Sequence, residues 1–344
     1  MRISHPKEDR AFAVIIALVA VTVLTILAGA FAYAMKVETK LAANTNNDEE
    51  FYWIGRGGVE RACWWLGVEG GQPYSTLQQY WAGGPGDGPE TNSILNGESL
   101  NDFPIGDGTV SLKMVELESK ININTADGPL LQNVLSQQGA DAGAISEVSD
   151  SILDWIDPDD NTRPAGAESD YYLGLTPSYY AKNAPMDSTE ELLLVKGVTH
   201  KMYYNDSVSS PSGHKLGFGH EPGQEPDYAF ALKDVFTAYS SGKINLLTAG
   251  DTVLGLIPGL DTAAAQQVEA ARNSEPPAHS IQQLLAQAGL SPQAAQQIMN
   301  YVTIIGNTYE IHATATIGQL SHEYTAIVYR NGPNVHVVSF YRSH

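Results

Sequence analysis

The residues richest in chemistry lie in one run: Asp154-Trp-Ile-Asp157-Pro-Asp159-Asp160-Asn161-Thr-Arg163-Pro-Ala-Gly166-Ala-Glu168-Ser-Asp170-Tyr-Tyr172. Asp157, Asp159 and Asn161 occupy alternate positions, and Glu168 stands at the twelfth position counted from Asp157. Carboxylates crowded this closely repel one another at neutral pH unless a positive charge lies among them. Two sources of that charge are open. One is calcium, a hard cation that takes about six to eight oxygen ligands. The other is Arg163, which would make the stretch a solvated acidic turn with its own counter-charge. Asp154 suits a helix end and Trp155 a core position.

The alternation is also that of an EF-hand loop. Thr162, however, stands where such a loop needs its turn-making Gly, and Pro164 restricts the backbone further, so the run is not an EF-hand. Catalysis is not expected. The sequence has no Gly-x-Ser-x-Gly elbow, no His-Glu-x-x-His, no phosphate loop, and no carboxylate pair with assignable acid and base roles. His200, His214 and His220 fall in or beside segment 201–228, rich in Ser, Gly and Pro and read as a long exposed loop, and their spacing makes no transition-metal site. The net charge of −20 argues against a nucleic-acid partner, which needs Lys and Arg to displace counterions. Cys63 is the only cysteine, so no intrachain disulfide exists, and it reads as a small buried hydrophobe.

The acidic run must be held by the elements around it, and the first of these is an anchor. Ala11 to Met35 is uncharged and mostly apolar, preceded by Arg2, Lys7 and Arg10 and followed by Lys36. As a helix, about 25 residues at roughly 1.5 Å each exceed the roughly 30 Å hydrocarbon core of a bilayer. A removed secretory signal is the rival, but the apolar run is too long and lacks a small-x-small cleavage site. Helical periodicity continues through Val37, Leu41, Phe51, Ile54, Val59, Ala62 and Leu66 without a Pro. The positive-inside rule leaves residues 1–10 in the cytoplasm and sends the acidic remainder across the membrane.

A turn-dense connector follows, with one short helix expected around Ser75 to Trp81. Thr109 to Leu117 alternates like a strand. Lys120-Ile-Asn-Ile-Asn-Thr-Ala126 leads into a helix that Thr125 would cap, with Asp127 in its first turn and Pro129 tolerated there. Lys243-Ile-Asn-Leu-Leu-Thr-Ala249 echoes that start, which implies two similar units. Ser188 and Glu191 form a capping box. Gly259 and Gly289 each follow an apolar helix end and precede a capping Thr or Ser and an Ala-rich helix, and Leu194 to Val198 is a further Gly turn. These resemble helix-hairpin-helix units, and the acidic balance makes them a packing scaffold in preference to a DNA grip. Tyr309–Ile317, Glu323–Arg330 and Asn334–Tyr341 close the chain as antiparallel strands, the last two joined at Asn331-Gly332-Pro333. The fold class expected is α+β: a long N-terminal helix packed on a small antiparallel sheet, with a large helical domain inserted between strands.

Several of these features together resemble one family. Arg10-Ala11-Phe12-Ala13-Val14 before an apolar helix is similar to the start of type IV pilins and pseudopilins, and more narrowly of the minor pseudopilin K of type II secretion systems. The resemblance implies cleavage by prepilin peptidase between Ala11 and Phe12, with methylation of the new terminus, although the family usually has Gly where Ala11 stands. Ile16 occupies the position where most pilin-like subunits carry Glu. A subunit with no neighbour above it is better served by an apolar residue there, since a carboxylate in hydrocarbon is costly. Asp154, Trp155, Asp157, Asp159, Asp160, Gly166, Ala167, Glu168, Tyr171 and Tyr172 match the family's signature. By that resemblance Asp157, Asp159, Asp160, Glu168 and Asp170 are candidate calcium ligands.

The implied division is leader 1–11, membrane helix 12–35, soluble helix 36–66, connector and first strand 67–119, inserted helical domain 120–306 and terminal strands 307–344. The implied function is a non-enzymatic minor pseudopilin. It would cap the tip of the periplasmic fibre and help start its assembly with minor pseudopilins of the I and J types, against which Val37, Leu41 and Phe51 would pack. A single pass through the inner membrane would hold it, with the body in the periplasm. The alternative is a membrane-tethered DNA-uptake protein using its helix-hairpin-helix turns, which the charge disfavours.

Overall fold

The computed structural model describes residues 7–86, 95, 98–205, 227–274 and 278–343, with side chains from residue 14 onward except 39–47. The chain opens with one continuous 63-residue helix, α1 (Lys7–Glu69). Its stretch Val14–Glu38 is long and apolar enough to cross a membrane, and none of it is buried against the rest of the chain. Beyond it, Phe51, Ile54, Val59, Ala62 and Leu66 form a buried stripe. That stripe lies against a five-stranded antiparallel sheet.

In chain order the sheet takes β1 (Phe103–Ile105) and β2 (Gly108–Glu116). The chain then leaves it. Two two-residue strands follow, β3 (Ile121–Asn122) and its parallel partner β4 (Phe236–Thr237), and then a second parallel pair, β5 (Ile244–Asn245) and β6 (Val302–Thr303). The chain returns with β7 (Thr308–Ile317), β8 (Leu320–Asn331) and β9 (Asn334–Arg342), giving the order β1-β2-β7-β8-β9. Glu116 on β2 stands opposite Tyr309 on β7, so the helical part enters and leaves between neighbouring strands. The α+β layout expected from the sequence is the one observed. On the inner face Val110, Leu112, Met114, Ile311, Ala313, Ala315, Tyr324, Ala326 and Val328 meet α1. Their alternation along each strand is what a half-buried sheet requires. Close approach depends on small residues: a Cβ at Gly55 would overlap the Tyr324 ring, and one at Gly58 would lie 2.8 Å from Val110 Cγ2.

The helical part has its own core. It contains α2 (Gly128–Gln138), α3 (Ala142–Ile156), α4 (Ser169–Leu173), α5 (His200–Tyr204), α6 (Leu232–Val235), α7 (Asp251–Gly255), α8 (Thr262–Arg272), α9 (Ile281–Gln287) and α10 (Pro292–Ile298). The Ile-Asn echo is structural. Asn122 Oδ1 accepts from the Asn124 backbone N–H, and Asn245 Oδ1 accepts from that of Leu247, each at 2.9 Å. The same side-chain turn thus follows a two-residue strand in both halves.

Several local expectations need correcting. The cap of α2 is Asp127, whose Oδ1 accepts from the Leu130 N–H at 2.9 Å, and Thr125 is spent on a turn to Asn122. At α8 the cap is Asp261, one residue before the expected Thr262. In both places a carboxylate, a stronger acceptor than a hydroxyl, takes the free N–H groups. The helix expected over Ser75–Trp81 contracts to one 3₁₀ turn at Tyr80–Ala82, tied down by Glu69, which accepts from the Tyr80 and Trp81 N–H groups. The capping box of Ser188 and Glu191 is present, but it opens a 3₁₀ helix, Thr189–Leu194. Of the expected loop 201–228, positions 206–226, with His214 and His220, lie outside the described residues.

A buried polar joint ties the helical part to the sheet. Glu118, wholly buried, accepts from the N–H groups of Ser241, Asn307 and Thr308 and from the Thr308 hydroxyl, all at 3.0–3.1 Å. Glu116 accepts from Asn245 Nδ2 at 2.8 Å, and Arg330 donates to Ser75 Oγ and to the Gly306 carbonyl. Burial, with the charge of Glu118 beside it, pushes the Glu116 carboxyl up to about 8.

Candidate metal centre

α3 is capped at its start by Asp141, whose carboxylate accepts from the Gly143 and Ala144 N–H groups, and it ends at Asp157, which has extended backbone. Its last turn therefore carries Asp154 and Asp157 at the end of the helix where partial negative charge already collects, an unfavourable place for carboxylates and a favourable one for cations. From there the chain runs out through Asp159–Arg163, turns at Gly166 and delivers Glu168 at the start of α4. Buried aromatic packing fixes both supports. Trp155 and Tyr172 meet edge to face with centroids 5.2 Å apart, so Trp155 is the core residue expected.

One carboxylate oxygen from each of Asp157, Asp159 and Glu168 lies within 4.8 Å of the others. At that separation, and at an effective dielectric constant of about 20, each pair of full charges repels by about 3 kcal/mol. Glu168 is only 3% exposed, and neither of its oxygens has a hydrogen-bond partner among the described residues. Asp157 Oδ1 is buried without a partner as well. Burial, followed by the charges of Asp154, Asp157, Asp160 and Asp159, pushes the Glu168 carboxyl up to about 7.

Arg163 supplies the local counter-charge. Its Nη1 lies 2.6 Å from Asp154 Oδ1 and 2.5 Å from Asp157 Oδ2, and its backbone N–H donates to Asp154 Oδ2 at 3.1 Å. Asp154 is wholly buried, and a Cβ on Gly166 would overlap its carboxylate. Only glycine lets the loop cross there. Lys196 Nζ holds the crossing from outside through the Ala165 and Gly166 carbonyls, at 3.3 and 3.2 Å. The one guanidinium thus pairs with two carboxylates of the cluster, Asp154 and Asp157. Arg163 satisfies Asp154 and half of Asp157, and Asn161 donates its N–H and Nδ2 to Asp159 Oδ1, while Glu168 and the other half of Asp157 remain.

The free donors are all hard oxygens, with no His or Cys in the cluster, a set that suits calcium. The residues fit the ion. Of the expected ligands, Asp157, Asp159 and Glu168 come together. Asp160 faces away to accept from Asn183 Nδ2 at 2.9 Å, and Asp170 is exposed on α4, outside the group of three. Sequence reasoning named Arg163 only as a counter-charge, and Lys196 and Asn183 carry no spacing signal that would have found them.

Among the anchor residues, Ala11, Phe12 and Leu41 lie in α1, their side chains outside the described residues. Ile16 and Val37 are exposed. Phe51 corrects an expectation: it is 1% exposed and stacks on His322 at 4.0 Å, so its ring is consumed by the chain's own core and is not available to a partner. The solvent-facing aromatics nearby are Tyr52, Trp53 and Trp64, 43%, 62% and 45% exposed.

A membrane-length helix runs on into the body and lies on an antiparallel sheet, with a helical insert between two of its strands. Residues 110–205, which carry the acidic site, match the family model described as type II secretion system (T2SS), protein K. The chain is 32% identical over 120 residues to type II secretion system protein K of Aeromonas hydrophila. It is 30% identical over 142 residues to the putative type II secretion system protein K of Escherichia coli K12. These matches cover 29% and 38% of this chain and 36% and 39% of the respective relatives, so they span little more than a third of the relatives' length. The fold likeness is wider. A chain in the crystal structure of the GspK-GspI-GspJ complex of the enterotoxigenic Escherichia coli type 2 secretion system superposes with a TM-score of 0.67 at 16% identity, over 88% of this chain and 99% of that one.

Proposed function

We propose that this chain is a non-enzymatic minor pseudopilin of a type II secretion system, held in the inner membrane by α1 with its body in the periplasm. The observation that carries the reading is the likeness in fold, over nearly the whole of its length, to a chain of a GspK-GspI-GspJ complex. The exposed apolar stretch Val14–Glu38 supports the anchor. Prepilin peptidase cuts between Ala11 and Phe12, and the new terminus is methylated. Ile16 in place of an acid, together with a bulky helical insert standing beside the sheet, supports a seat at the fibre tip, where the subunit helps start assembly. Its neighbours are minor pseudopilins of the I and J types, and they pack along α1, in its soluble part on the face of Trp53 and Trp64. Calcium sits between Asp157, Asp159 and Glu168. When bound, it supplies the positive charge that lets these carboxylates lie together, and the residues themselves tie the end of α3 to the start of α4.

The test is co-expression of the full chain with I- and J-type minor pseudopilins, followed by detergent extraction, affinity capture and amino-terminal mass spectrometry. Recovery of both partners with a mature chain starting at methylated Phe12 is expected. A body trimmed beyond residue 35 and recovered alone would refute the reading.

A further inference from the structure

Arg163 shares Asp157 with the group of three carboxylates that come together. Arg163 Nη1 bridges Asp154 Oδ1 and Asp157 Oδ2, and the Arg163 backbone N–H closes on Asp154 as well. Asp154 is fixed in turn, being wholly buried in the last turn of α3 beneath Gly166. With one oxygen of Asp157 tied in this way, the rotation of its carboxylate is set. Its other oxygen, Oδ1, stays buried and unpartnered, beside a Glu168 whose two oxygens are also unpartnered.

We infer that Arg163 is a positioning residue of the calcium site: it draws Asp157 Oδ2 onto the Asp154 anchor and thereby presents Asp157 Oδ1 to the ion. This rests on the calcium reading of the cluster and goes beyond it in one respect. A point-charge view says that a guanidinium beside a cation site opposes binding, so deleting it should tighten calcium. The geometry says the reverse. Groups that orient a ligand without touching the metal typically change affinity by about 10- to 100-fold.

The experiment is calcium titration calorimetry on the full chain in detergent, with thermal unfolding on the same samples, for wild type, R163Q, R163K and the double variant D154N/R163Q. R163Q is expected to bind calcium at least about tenfold more weakly despite losing a positive charge. R163K, whose single ammonium can still bridge the two carboxylates, is expected to recover most of the loss. The double variant leaves no unpaired buried charge at position 154, so it is expected to fold even where R163Q does not, and to stay weak because Asp157 is no longer steered. Equal or tighter binding by R163Q overturns the inference, as does wild-type affinity in the double variant, which would reduce Arg163 to a neutraliser of Asp154. A wild type that takes up no calcium overturns the metal reading itself, a distinguishable result.

Discussion

Glu168 makes the metal reading measurable through pH. Without the ion, its folded carboxyl is pushed from 4.5 up to about 7 by burial and by the neighbouring carboxylates. A carboxyl raised on folding binds more protons folded than unfolded, so its contribution to stability is present at low pH and is lost as pH rises through the window from 4.5 to 7. The full shift corresponds to about 3 kcal/mol. Solvent reaches the cluster from the side of the exposed Asp159, so roughly half of that is the figure to expect, which is on the order of 5 °C in unfolding temperature. Calcium takes the proton's place, and the loss should vanish when it is saturating. The assay is thermal unfolding of the full chain in detergent from pH 4.5 to 8, with calcium or with chelator, for wild type and Glu168→Gln. Glu116, pushed up to about 8, also titrates in this range, but calcium does not touch it and it is common to both proteins. The informative quantity is therefore the difference between wild type and Glu168→Gln. If that difference is flat between pH 4.5 and 7 in chelator, or is unchanged by calcium, Glu168 is not a charged residue awaiting an ion and the reasoning fails.

Other outcomes follow from single contacts. Glu118→Ala takes the acceptor from three N–H groups, those of Ser241, Asn307 and Thr308, of which Thr308 is buried. The buried Thr308 group should cost about 1–3 kcal/mol and the two that water can reach less, and urea denaturation should show it, with Glu118→Gln intermediate because one acceptor oxygen survives. Phe51→Ala should cost about 3–5 kcal/mol in the same assay, since its ring is interior. Trp53→Ala, at a largely exposed position, should leave stability within about 0.5 kcal/mol while reducing capture of the I- and J-type partners. The reverse pattern would restore Phe51 as the partner contact.

Long-range order was legible in the sequence because it rests on periodicity. The membrane-length run and the alternation of β2 and β7 each repeat a pattern over many residues, and the Asn-Gly turn between β8 and β9 is a strong local signal beside them. The insertion between strands followed from the strands at either end. Choices between neighbouring acceptors were not legible. Asp127 displaces Thr125 and Asp261 displaces Thr262 because a charged oxygen a residue or two away competes better for the same N–H groups, a difference that spacing alone does not resolve. Phe51 reads as exposed or interior depending on where a sheet that is distant in sequence lies. The acidic run showed which chemistry was present. Which oxygens converge depended on Gly166 allowing the loop to cross Asp154, a contact between two parts of the run that no period encodes.

Glu118 and Thr308 share a hydrogen bond although 190 residues separate them. Bringing distant ends together costs little more for a long loop than for a shorter one, so the helix-and-sheet frame is nearly indifferent to how much chain is hung from that point. Its speed of formation is not indifferent, because contacts so remote along the chain form slowly. A relative could shrink or enlarge the hanging body without redrawing the frame that carries it.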